Sequence, residues 1–232
     1  MGFAGKKLRA LSLDLDNTLW DIDPVIEAAE SRLRAWLEFR CPRAVSDYKP
    51  ERVFALRAEI VARYPERDHD LTFLRKAVLE AILIGAGYPA SLADTAFQVF
   101  FAARNQVTLF ADVLPALRRL SQHFQLVALT DGNADLESIG LDAFFDHYIN
   151  ASSVGRAKPH AAMFQAVATA TGHDPEQILH VGDHPEKDVA GARRCGFRAV
   201  WVNRERHPWP LEHACPDAEV PDLVALAEHL LA

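Results

Sequence analysis

The chain has 232 residues, half of them hydrophobic and a quarter charged, which suits one large soluble domain or a core with a smaller companion. A net charge of −7 gives a nucleic-acid partner no electrostatic support, and any anionic ligand would need a local positive site from lysine, metal or backbone amides. Cys41, Cys195 and Cys215 form no C-x-x-C pair, which speaks against a disulfide framework or zinc site and fits a reduced, cytoplasmic setting. Lys6 and Lys7 precede an apolar stretch, but Arg9, Ser12 and Asp14 break it before it reaches the length of a secretory segment. No run approaches the roughly 20 apolar residues of a membrane span, so no membrane partner is expected.

In chain order, residues 8–13 read as a buried strand. Its continuation, Leu11-Ser12-Leu13-Asp14-Leu15-Asp16-Asn17-Thr18-Leu19, sets carboxylates at i and i+2 and a hydroxyl at i+4. If the chain stays extended, Asp14 and Asp16 project to the same side, at the carboxyl end of a strand where open α/β sheets hold ligands. From about Asp23 to Arg104 the text is helical, over 24–39, 50–63, 70–84 and 90–104, with breaks at Cys41-Pro42, Tyr64-Pro65 and Gly85–Pro89. That predicts an all-α insertion of four helices packed as a small bundle. Helix 113–123, strand 126–130, a weaker strand at 147–151 and helix 159–171 follow. Strand 178–182, helix 185–195, strand 198–202 and helix 221–231 complete the chain, with 204–216 read as a surface loop. Continuous apolar strands alternating with helices imply a doubly wound parallel α/β sheet. The expected division is a catalytic core of residues 1–20 and 107–232, with a helical cap at 21–106.

Further polar groups fall where core strands end. Thr130 closes LVALT, Lys158 stands before Pro159, Asp183 closes ILHVGD, and Asp188 lies in the first turn of the helix that follows. Each has a plain structural role open to it: a cap for Thr130 or Asp183, a solvated lysine for Lys158. Together they suggest chemistry. Asp14, Asp16 and Asp183 around one pocket repel unless a cation is present, and oxygen ligands without His or Cys favour Mg²⁺. A threonine hydroxyl and a lysine ammonium then complete a cradle for phosphoryl oxygens. The residues point to phosphoryl transfer.

DLDNTLW, LTDGN, RAKP and GDHPEKDVAGA resemble, in order, the four motifs of the haloacid dehalogenase superfamily, and the insertion resembles its C1-type cap. The resemblance implies a Rossmann-like core and a Mg²⁺-dependent phosphatase. Asp14 would be the nucleophile that forms an aspartyl-phosphate. Asp16 would be the general acid/base, with its backbone carbonyl on the metal. Thr130, Asp131 and Lys158 would bind the transferring phosphoryl group. Asp183 would join Asp14 as a metal ligand, and Asp188 would orient Lys158 or a metal-bound water. Asp131 stands where Asn is more usual, and Ala157 replaces a common glycine or serine. Within the superfamily the text is most similar to bacterial phosphatases of flavin mononucleotide and of the ribityl-aminouracil phosphate of riboflavin synthesis. That similarity rests on DLDNTLWDIDPVI, His69-Asp70-Leu71-Thr72, Gly132-Asn133-Ala134 and ILHVGDHPEKDVAGA.

The implied partner is a small phosphorylated metabolite, bound by a monomer or small homo-oligomer. Substrate choice would lie in the cap, with Trp20, His69 and Arg75 as candidate contacts, although Arg75 also reads as an exposed helix position. Rival activities on the same core are a nucleotide or sugar phosphatase, a phosphomutase and a 2-haloacid dehalogenase. Asp16 argues against the last, which has no use for a second acid. A silent binding module is improbable with every group present. Asp68-His69-Asp70 reads as a helix cap and turn, and Phe97, Phe100 and Phe101 as bundle core.

Overall fold

The computed structural model describes residues 7–232. Residues 1–6, with Lys6 and the expected start of the core, lie outside them. Two compact units form. One comprises the chain up to Asp21, Thr108–Gly132 and Gly140–Ala232; the other is Ile22–Val107 with Asn133–Ile139.

The first unit is built on six strands: β1 (Ala10–Leu13), β2 (Gln125–Thr130), β3 (His147–Asn150), β4 (Ile178–Gly182), β5 (Arg198–Val202) and β6 (Ala218–Val220). They pair in parallel throughout, in the order β3-β2-β1-β4-β5-β6. Every residue of β1 and β4 is buried, as a sheet covered on both faces requires. Strand order reverses at β1, which has β2 on one side and β4 on the other, the place where such sheets bind ligands.

In the helical unit, α1 (Ile22–Arg40), α2 (Pro50–Arg63), α3 (Leu71–Gly85) and α4 (Leu92–Arg104) correspond to the predicted four. Leu33, Leu37, Leu74, Leu79, Leu83 and Phe97 recur at helical spacing and form its buried cluster. Asp70 caps α3 by accepting from the Phe73 N–H at 2.9 Å, so the cap reading of Asp68–Asp70 holds at Asp70. Phe97 and Phe100 are buried among these helices, as expected.

The first unit also carries α5 (Val113–Leu120), α6 (Ala161–Thr171) and α7 (Leu223–Leu231). Here the expected boundaries shift. Helix 159–171 begins only at Ala161, capped by His160. Helix 185–195 is a π-helical segment, Pro185–Ala190, followed by one α-turn, Gly191–Arg194. The three-residue β6 and the single turns at Leu136–Ile139 and Ala151–Val154 had no periodic signal to betray them. Among the described residues no helix is long and apolar enough to cross a membrane.

Candidate active site

Adjacent strands β2, β1 and β4 deliver their carboxyl ends side by side, and with them Thr130, Asp14 and Asp183. The Asp14 N–H still bonds the Val181 carbonyl at 2.9 Å, so the ladder runs one residue past β1. The chain then turns. Leu19 N–H reaches the Leu15 carbonyl at 2.7 Å, and Asn17 adopts a left-handed φ of 62°, which Asn tolerates better than most residues. Asp16 itself forms a parallel bridge with Trp20, and the turn occupies residues 17–19, after both carboxylates. The Asp16 carboxylate accepts the indole N–H of Trp20 at 2.9 Å. Trp20, expected as a pocket contact, is fully buried, because its indole packs into the core and its one polar atom is spent on Asp16.

Lys158 lies at the centre. Its buried ammonium donates to Asp14 Oδ1 at 2.6 Å, to Asp188 Oδ1 at 2.7 Å and to the Leu129 carbonyl at 3.2 Å, which uses all three of its protons. Its own backbone N–H donates to Asp131 Oδ1 at 2.7 Å, so the Asp131 side chain clamps the lysine loop. Asp131 is also 3.4 Å from Lys187 Nζ. Thr130 Oγ1 accepts the Gly132 N–H at 2.9 Å, a bond that leaves its hydroxyl proton for donation. Asp188 fits against β4 only because residue 182 is glycine: a Cβ there would meet the Asp188 carboxyl at 2.4 Å. Burial pushes the Asp14 carboxyl well above the ordinary range, with Asp188 and Asp183 adding to the rise and Lys158 opposing it. Asp183 is pushed up to about 6, again by burial and by the Asp188 charge. Burial also works against ionised Lys158 and Asp188, but the Asp14 and Asp188 carboxylates hold the ammonium above its usual range, and Lys158 with the His180 hydrogen bond holds the Asp188 carboxyl well below.

Oxygens of Asp14, Asp183 and Asp188 lie within 4.8 Å of one another, and the Thr18 hydroxyl donates to Asp183 at 3.3 Å. Crowded oxygen-only donors, two of which (Asp14 and Asp183) are disfavoured in their ionised forms without a further counter-charge, suit a hard divalent cation such as Mg²⁺. The carboxylate grouping includes Asp188 rather than Asp16, whose side chain is turned to Trp20. Asp188 already accepts from Lys158, His180 and the His184 N–H.

Of the candidates in the helical unit, the Arg75 guanidinium stacks on Phe100 at 3.6 Å and donates to Glu30 at 2.6 Å. It also borders a cavity of about 280 Å³ within this unit, walled by Ile26, Val53, Leu71, Leu74 and Val78. The His69 side chain is nearly buried, with Nδ1 lying 3.6 Å from the Asp68 carboxylate. Sequence reading passed over Ser12 and His180, two polar residues inside otherwise apolar strands. They pair in register across β1 and β4, and their side chains hydrogen-bond at 2.8 Å.

The profile of haloacid dehalogenase-like hydrolases matches residues 8–196. The 5-amino-6-(5-phospho-D-ribitylamino)uracil phosphatase YigB of Escherichia coli is 33% identical over 203 residues, 86% of this chain and 85% of that protein. A phosphoserine phosphatase of Thermus thermophilus is 36% identical over 166 residues, 68% of this chain and 66% of its own length. Among solved structures, a 2-haloacid dehalogenase from Pseudomonas syringae pv. Tomato DC3000 is 36% identical with a TM-score of 0.93, covering 97% of this chain and 98% of that one. The chain belongs to the haloacid dehalogenase-like hydrolase family.

Proposed function

We propose that the protein is a Mg²⁺-dependent phosphatase that hydrolyses a small-molecule phosphate monoester through an aspartyl-phosphate on Asp14. The observation that carries this reading is the Asp14–Lys158–Asp188 ion chain beside Asp183. It offers a nucleophile, a cation for phosphoryl oxygens and carboxylates for a metal in one place. Asp14 and Asp183 would hold Mg²⁺, with the Asp16 carbonyl. The ion would neutralise the carboxylates and phosphoryl oxygens so that an anionic substrate can approach. An Asp14 oxygen attacks phosphorus as the bond to the leaving oxygen breaks, and Asp16 gives its proton to that oxygen. Asp16 then takes a proton from water, which attacks the phosphorus of the acyl-phosphate and restores Asp14 with release of inorganic phosphate. The Thr130 hydroxyl holds a phosphoryl oxygen through both steps, and the Lys158 ammonium takes one up in exchange for one of its present acceptors.

The similarity to YigB supports a ribityl-pyrimidine phosphate as substrate, and flavin mononucleotide is a second candidate because it carries the same ribityl phosphate, with residues of the helical unit setting the choice. A panel of phosphorylated metabolites, assayed for phosphate release, tests this. Turnover of neither compound above a generic aryl phosphate would end the substrate assignment and leave the phosphatase assignment standing. The likeness to a 2-haloacid dehalogenase supports a second reading, in which Asp14 attacks carbon and expels halide. Asp16, oriented by Trp20, supports the phosphatase over it, because a halide leaving group needs no proton. Halide release from 2-chloropropionate without phosphate release from any ester would reverse the order.

A further inference from the structure

Two buried polar residues inside the central strands β1 and β4 are not used by the proposed chemistry. Ser12 and His180 are both fully enclosed in the sheet, where an unpaired hydroxyl or imidazole nitrogen is costly. Each finds a partner. Ser12 Oγ lies 2.8 Å from His180 Nδ1, and His180 Nε2 lies 3.2 Å from Asp188 Oδ1. The same Asp188 oxygen receives Lys158 Nζ, which in turn donates to Asp14. A continuous path thus leaves β1 at Ser12 and returns to its end at Asp14, two residues on. The path passes through β4, the turn after it and the lysine loop.

We infer that Ser12 and His180 are a positioning pair that fixes the Asp188 carboxylate, and through it the Lys158 ammonium, against Asp14. The inference rests on the phosphatase reading and adds to it two residues that touch no substrate.

Proton placement follows from the partners. Nε2 faces a carboxylate oxygen, which accepts only, so Nε2 must carry the ring proton. Nδ1 then presents a lone pair, and the Ser12 hydroxyl donates to it. Burial disfavours the doubly protonated ring, consistent with one proton on the imidazole. Asp188 thereby selects the tautomer and Ser12 satisfies the lone pair left on Nδ1, while Nε2–H supplies Asp188 with a second side-chain donor that does not compete with Lys158 for charge. The other Asp188 oxygen accepts the His184 N–H at 2.9 Å, so the carboxylate is gripped at both ends and its plane is fixed. Such outer partners hold a site to the few tenths of an ångström that its chemistry requires. His180 also lies edge-on to Phe164, at 5.4 Å between ring centres, so its ring could serve packing alone. The two roles come apart experimentally.

His180→Phe keeps an aromatic ring in that slot and removes the donor, whereas His180→Gln restores an N–H at comparable reach. With p-nitrophenyl phosphate and Mg²⁺, His180→Phe is expected to lower kcat by about 10–100-fold with KM within about threefold, the size of effect known for outer partners of a site. His180→Gln should recover most of that loss, and Ser12→Ala should fall between. Nitrogen-15 NMR of the wild-type imidazole should show a protonated Nε2 and a bare Nδ1, a readout that requires no turnover and no variant that folds. Unchanged kcat in His180→Phe, equal losses in His180→Phe and His180→Gln, or a proton found on Nδ1 would each overturn the inference. Absence of any phosphatase activity in the wild-type enzyme would instead bring down the underlying reading, and the positioning role with it.

Discussion

Asp14 stands 2.6 Å from Lys158 Nζ and shares its surroundings with two further carboxylates. Asp14→Asn preserves shape and removes the attacking oxygen, so kcat for p-nitrophenyl phosphate should fall by several orders of magnitude while the melting temperature changes little. Activity within tenfold of wild type, in enzyme free of deamidation, would contradict the nucleophile assignment. Asp16 has the complementary role. Asp16→Asn should slow alkyl phosphates far more than aryl phosphates, whose leaving groups need no proton. Trp20→Phe retains most of the buried ring and deletes the indole N–H. A hydrogen bond to a charged group contributes about 1.5–3 kcal/mol, so the same alkyl-over-aryl bias should appear in weaker form. Equal slowing of both esters by Trp20→Phe would mean that the indole serves packing alone.

At the scale of elements, the apolar runs ALSL, LVALT, ILHVG and RAVWV made the parallel sheet legible, because strands covered on both faces carry no alternation to misread. The four long helices were legible from their stripes, with prolines in the first turns of α1 and α2 only. The turn after β1 was not. Its course depends on a Leu19–Leu15 backbone bond and on the Trp20–Asp16 bond, neither of which leaves a pattern in the text. Most of the site lay in residues at strand ends, but Ser12 and His180 were hidden inside strands, where a lone polar residue reads as an exception. The predicted surface loop at 204–216 opens on a half-buried anchor. Arg204 makes two 3.0 Å bonds to Asp112, donates to the Thr18 carbonyl at 2.8 Å and lies over Phe110. Arg204→Ala should cost about 3 kcal/mol of stability, in the range for breaking an enclosed ion pair, measurable by denaturant titration. Gly182→Ala is the sharper test of the β4 turn. A methyl 2.4 Å from the Asp188 carboxyl must displace it, so activity should drop even in preparations that remain folded.

For the whole molecule, an overall charge of −7 coexists with a site that must admit an anion, so local cations decide. Lys158 is already balanced by Asp14 and Asp188, which leaves Asp183 and the shared acidity for a metal to offset. The pH dependence follows in sign. Asp183 is raised to about 6, so above that pH it is ionised and ready to ligate, and below it a proton must leave first. Mg²⁺ affinity measured by calorimetry should therefore weaken as pH falls through about 6, and an affinity flat from pH 5 to 7 would remove Asp183 from the ligand set. The most direct single measurement is phosphate release from p-nitrophenyl phosphate by thoroughly chelated enzyme, before and after Mg²⁺ is restored. A Mg²⁺-dependent hydrolase gives no turnover in the chelated state and full recovery on addition. Undiminished activity without the ion, or none with it, would contradict the proposed chemistry at its centre.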